Sequence, residues 1–284
     1  MNPEAIYGVD FSAAKLAGQN TWIARIVAGT GQLQTSPYEL TDLWRLEKLS
    51  KNPERDPALN HLVEMVLQTS HSLWSFDFPF GLPVELFAPD WKWPHQLAFV
   101  ESWSDTAHDF GLECLRRAQE REGRNHIRRL TDLECKARFN PYHYRIIYQT
   151  FHGIRDVLGP LNTHRRTAVL PFHYKKIHSA EQCIVENCTG STLRRLGLPH
   201  QNYKQPGGGP LTNKRRKTRR VILAGLSQHV RLTKTQHLIA MRNGGGDALD
   251  AIIAAVGAAR SWTESDHVAI GRHQRYGREG RMYV

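Results

Sequence analysis

The sequence has no apolar run near the roughly 18 residues that a membrane-spanning helix needs, so no membrane partner is expected. Its opening, Met1-Asn2-Pro3-Glu4, lacks the basic and apolar regions of a signal peptide. Only four cysteines occur, Cys114, Cys135, Cys183 and Cys188, with no CxxC pair among them. That gives no disulfide framework, favours buried thiols over metal ligands at Cys183 and Cys188, and makes a reducing, cytoplasmic setting the default. The 15 histidines are scattered, with neither HExxH nor a His/Cys zinc spacing. GxxxxGK[ST] and GxSxG are both missing, which removes the P-loop and the nucleophile elbow.

Acid is also missing over one long stretch: between Glu186 and Asp247 there is no Asp or Glu. The same stretch holds Arg194, Arg195, Lys204, Lys214, Arg215, Arg216, Lys217, Arg219, Arg220, Arg231, Lys234 and Arg242. This block accounts for the formal net charge of +11. A basic run is often only a solvated face, but one with no interleaved acid suits a polyanion. Lys214, Arg215, Arg216, Lys217, Arg219 and Arg220 are the candidate backbone-phosphate contacts, and a nucleic acid, DNA or RNA, is the expected partner.

What is present reads as an α/β chain. Ala5–Asp10, Thr21–Ala28, Ser72–Phe76, Arg166–Leu170 and Gln182–Glu186 have strand character. A turn at Gly29-Thr30-Gly31 would return the chain as a strand from Gln32 to Tyr38. Apolar residues recur at a helical period over Pro57–Thr69, and Lys214–Leu226 reads as a basic helix. Asp247–Ala259 is apolar nearly all round, as a buried helix should be. Pro199–Pro210, with Gly207-Gly208-Gly209, reads as a loop, and Gly280–Val284 as a short closing strand. The length of 284 residues suits one domain over 1–284, with a mostly helical insertion at approximately 90–160.

Three acids end predicted strands: Asp10, Asp77 and Glu186. Asp247 and Asp250 open the buried helix, and their i, i+3 spacing puts both on one helical face. Each has a plain structural use as a cap, a turn residue or a first-turn acid favoured by the helix dipole. Together they form a carboxylate set for hard divalent ions, Mg²⁺ or Mn²⁺, that activate water for phosphodiester cleavage. Lys15 lies close enough in sequence to Asp10 to offset its charge.

Three segments resemble a known family: Gly8-Val9-Asp10-Phe11-Ser12-Ala13-Ala14-Lys15 with Trp22 following, Phe76-Asp77-Phe78-Pro79-Phe80-Gly81-Leu82-Pro83, and Gly246-Asp247-Ala248-Leu249-Asp250-Ala251. The terminal Gly280-Arg281-Met282-Tyr283-Val284 is similar to the same family's closing strand. The family is the predicted RNase H-fold nucleases known as domain of unknown function 429 (DUF429). The Asp-x-x-Asp-Ala helix also resembles the final helix of Holliday-junction resolvases. The resemblance implies an RNase H-like mixed sheet flanked by helices, with Asp10 on the first strand, Asp77 on the fourth and Asp247 and Asp250 on the last helix. It also implies a metal-dependent nuclease, with a homodimer as the assembly seen in resolvases. Arg128-Arg129-Leu130-Thr131-Asp132 resembles a basic motif of the family, making Arg128 and Arg129 candidate phosphate contacts. The family usually follows its mid-chain glutamate with an aromatic residue and a proline, whereas Glu186 precedes Asn187-Cys188-Thr189. The role of Glu186 is therefore the loosest of the five acids.

Two other functions fit parts of the pattern. Sugar-kinase and actin-like phosphotransferases or ATPases also open with a Gly-x-Asp strand, but need a duplicated half that this chain lacks. A non-catalytic nucleic-acid-binding protein would use the basic 194–242 block alone.

Overall fold

A computed structural model describes residues 2–29, 36–104, 106–207 and 209–284. The expected turn and return strand after Gly29 fall mainly on residues outside these, as does Gly208 of the glycine run.

The centre of the fold is β1 (Ala5–Asp10), an apolar strand covered on both sides. It sits within a mixed seven-stranded sheet with β2 (Trp22–Ala28), β3 (Tyr38–Arg45), β4 (Ser72–Phe76), β5 (Thr167–Val169), β6 (Gln182–Glu186) and β7 (Val230–Arg231). The spatial order is β5-β6-β4-β1-β2-β3-β7. β1 to β3 form an antiparallel meander, while β4 runs parallel to β1, and β6 parallel to β4. Parallel neighbours need long crossovers, and here helical segments supply them on both faces.

Side-chain alternation sorts the sheet into two cores. Val9, Ile23, Trp74 and Phe76 face one side and pack with Leu59, Leu62, Phe110 and Phe151 from helices. Those helices include Arg55–Gln68 and Ala107–Glu122. Ile6, Ala24, Ile26, Leu73 and Val185 face the other side, where Asp247–Glu264 lies against the sheet. That helix buries Leu249, Ile252 and Ile253 completely. Each such side chain contributes roughly 1.5–3 kcal/mol of burial free energy. Helix and strand approach backbone to backbone at Gly8: a Cβ there would stand 2.1 Å from the Ala251 carbonyl oxygen.

The chain between β4 and β5 carries the helices Trp93–Glu101, Ala107–Glu122, Leu130–Glu134 and Ile147–His152, a π-helical turn Gly153–Leu158, and Gly159–Thr163. Among the described residues the return strand is Tyr38–Arg45. Gly280–Val284 forms no full strand: Met282 makes a single parallel bridge to Glu186. β7 and the Lys234–Arg242 helix have no counterpart in the sequence reading. Among the described residues, no helix is long and apolar enough to cross a membrane.

Candidate metal centre

Register brings the first two acids together. Val9 of β1 pairs with Phe76 of β4. The next residues, Asp10 and Asp77, therefore leave the sheet side by side, and the Asp77 N–H donates to the Val9 carbonyl (3.1 Å). Asp250 comes down from the helix on the same face. One carboxylate oxygen from each of Asp10, Asp77 and Asp250 lies within 4.8 Å of the others. Gly246, with φ +91°, takes the left-handed turn that starts this helix over the sheet edge.

Asp250 is fully buried. Its Oδ1 accepts a hydrogen bond from the Tyr203 hydroxyl (2.9 Å). Its Oδ2 pairs with the ammonium of Lys204. Asp77 accepts from Thr189 Oγ1 (3.2 Å). Asp247 stands outside the triangle, half-buried, with its Oδ2 3.4 Å from Asn243 Nδ2.

The three acids disfavour one another's charge. Burial raises the pKa of Asp10 well above the usual carboxylate range; Lys204 opposes this, while Asp250, Asp247 and Asp77 add to it. Asp77 is pushed up to about 6, first by burial and then by Asp250. Burial works against the charge of Lys204, but Asp250 and Asp10 outweigh it and hold its pKa well above that of an ordinary lysine. Such a centre calls for more positive charge. An ion with ligands about 2.1 Å away sets oxygens about 3–4 Å apart, close to the size of this triangle. The donors are all carboxylate oxygen, as hard divalent cations prefer. The three carboxylates could hold a divalent cation.

Glu186 does not join them. It pairs with Phe76, not with Asp77, so its side chain points to the opposite face of the sheet. There it meets Arg129, with Nη2 to Oε1 2.5 Å and Nη1 to Oε2 2.8 Å, and accepts the Phe80 N–H (2.9 Å). Asn187 takes the place beside Asp77 and spends its amide on the Tyr283 carbonyl and Thr192.

Two expected phosphate contacts are likewise interior. Arg129 has no exposed surface and binds Asp132 as well as Glu186. Burial opposes its charge, yet the two carboxylates hold its pKa well above that of a free arginine. Arg219 is also fully buried. It donates to the carbonyls of Tyr203 (2.6 Å), Ala240 (3.1 Å), Met241 (3.3 Å), Asn243 (2.5 Å) and Gly244 (2.8 Å). It ties the loop bearing Lys204 to the turn that precedes Asp247. Its neighbours remain as expected: Lys214, Arg216, Lys217 and Arg220 are exposed on the Asn213–Leu226 helix, and Arg128 is exposed elsewhere. Arg215 reaches Gln205 Oε1 (3.0 Å), which puts the start of the basic helix next to Lys204.

Tyr203 and Lys204 carry no motif and were not expected at the site. Lys15, offered by proximity in sequence, is exposed. Beside Asp77 and Lys204 opens a cleft of about 290 Å³, walled by Pro79, Phe139, Ile146, Gln149 and Met282.

Compared with protein-family models, curated proteins and solved structures, the chain matches none.

Proposed function

We propose that this chain is a divalent-metal-dependent nuclease of RNase H-like architecture. The observation that carries the reading is the convergence of Asp10, Asp77 and Asp250 at one edge of a mixed sheet. Their sources support it: the end of the first strand, the residue after the fourth, and the first turn of a long buried helix. These are the places that the resemblance to RNase H-fold nucleases assigns to metal ligands.

Asp10, Asp77 and Asp250 would hold Mg²⁺ or Mn²⁺, with Asp247 near enough to bind through water. When bound, the ion would supply a more acidic water and charge to stabilise the leaving oxygen. The remaining tasks belong to the protein. Thr189 orients Asp77, and Tyr203 orients Asp250. Lys204 balances part of the carboxylate charge through its pair with Asp250. Lys214, Arg216, Lys217 and Arg220 offer a cationic face to the backbone of DNA or RNA. Among the described residues none of these four meets a carboxylate within the chain, so their charge is available to a partner.

The test combines two readouts in one set of samples. Mn²⁺ and Mg²⁺ are titrated calorimetrically into wild type and Asp10→Asn. Labelled single-stranded, duplex, hybrid and branched nucleic acids report cleavage. Metal binding and cleavage should be lost together in the variant. Undiminished cleavage by both Asp10→Asn and Asp77→Asn would overturn the reading.

A further inference from the structure

The cleft beside Asp77 continues outward as a ladder of rings. Phe139 lines it, half-buried. His143 stacks on Phe139 with ring centres 4.3 Å apart and planes 27° from parallel. Tyr144 lies against His143 at 4.5 Å and is 71% exposed. Two arginines flank the ladder. The guanidinium of Arg138 is 5.2 Å from the Phe139 ring centre, and that of Arg145 is 5.9 Å from the same ring and 5.6 Å from Tyr144.

Both arginines are exposed, and among the described residues neither meets a carboxylate. The nearby arginine that does, Arg129, is wholly interior. The cleft that holds Asp77 and Lys204 is thus lined also by Arg138 and Phe139, and the ladder beyond it ends in the exposed ring of Tyr144 beside Arg145. A ligand matching this is anionic and also offers flat, polarisable faces. A duplex has the charge but hides its base faces in the stack. Unpaired nucleotides offer both, and stacking on aromatic residues beside arginines is how single strands are held without regard to sequence.

We propose that the ladder from Phe139 to Tyr144, with Arg138 and Arg145, binds unpaired nucleotides of single-stranded nucleic acid and leads the strand to the carboxylate centre. This rests on the nuclease reading for its substrate class and sharpens it: the cleaved strand is unpaired next to the scissile phosphate. The aromatic ladder supplies stacking, while the basic helix Asn213–Leu226 supplies charge alone.

The test is binding without turnover. Full-length protein in EDTA is titrated against labelled oligodeoxythymidine, oligouridine and a blunt hairpin duplex at one fixed salt concentration, by fluorescence anisotropy. Wild type should bind a single strand at least about tenfold more tightly than the hairpin. Tyr144→Ser, an exposed change that leaves the core intact, should weaken single-strand binding about tenfold and leave the hairpin unchanged. Arg138→Gln with Arg145→Gln should weaken the single strand more than the hairpin. The deoxy and ribo arms identify the sugar. Equal or tighter hairpin binding, or single-strand binding untouched in Tyr144→Ser, overturns the proposal. Because no metal is present, failure here is separable from failure of the nuclease reading, which shows as absent cleavage by a wild type that still binds.

Discussion

Lys204 and Asp250 form an ion pair in which the carboxylate is wholly buried and the lysine side chain is 46% exposed. The ammonium leans on the oxygen that an incoming cation would use. Lysine and metal therefore compete for one carboxylate. At about 4 Å and an effective dielectric near 20 the attraction is about 4 kcal/mol, before screening of the half-exposed lysine. About 1 kcal/mol of this survives. Lys204→Met should raise Mn²⁺ affinity about fivefold and lower the thermal stability of the metal-free protein. Calorimetry and melting curves with and without Mn²⁺ check both. An unchanged or weaker affinity would show that the lysine assists the ion instead.

The two acids of the helix are predicted to differ, although they share a face. Asp250→Asn should abolish metal binding, since Asp250 belongs to the triangle with Asp10 and Asp77. Asp247→Asn should keep the ion and weaken it about tenfold, an outer contribution of about 1.4 kcal/mol. Equal losses on calorimetric titration would place Asp247 inside the coordination shell.

Arg129 is predicted to matter for stability and not for nucleic acid. Arg129→Met leaves Glu186 and Asp132 facing each other with no exposed surface and no counter-charge. Removing one member of such a buried pair costs about 3–5 kcal/mol. Urea denaturation should show that loss, while metal affinity in native buffer stays near wild type. A stability change below about 1 kcal/mol would contradict the buried ion pair.

His173 gives a pH dependence remote from the metal. Burial, helped by Lys176, lowers its pKa to about 4, and its Nδ1 accepts the Val169 N–H (3.3 Å). The fold thus favours the neutral ring. In the unfolded chain the ring titrates near 6.5. Its contribution is fully present above about 6.5 and is lost as pH falls toward about 4, where the unfolded chain binds the extra proton. Stability of wild type minus that of His173→Phe, followed by urea denaturation, should decline across that interval. A flat difference would remove His173 as the cause.

Much of the sheet was legible because β1, β4 and β6 are short apolar runs that stop at an acid. The convergence of Asp10 and Asp77 follows from that punctuation. The exclusion of Glu186 does not, because it turns on whether Phe76 or Asp77 lies opposite, a register fixed only by strand pairing. Lys204 sits in a loop without period, and its approach depends on Arg219 holding Tyr203. Arg219 itself carried a signal. It shares a stripe with Ile222, Leu223 and Leu226, at i, i+3, i+4 and i+7, so the helical period already turned it inward among exposed cations.

The triangle draws on three segments far apart in the chain, Asp10, Asp77 and Asp250, with Lys204 from a fourth. No short contiguous fragment contains it. A bound ion would therefore report on the assembly of the chain from Asp10 to Asp250: a misfolded or partly unfolded molecule should release it before other probes register damage. In a preparation of this protein, the ratio of tightly held Mn²⁺ to polypeptide would serve as a direct count of correctly assembled molecules.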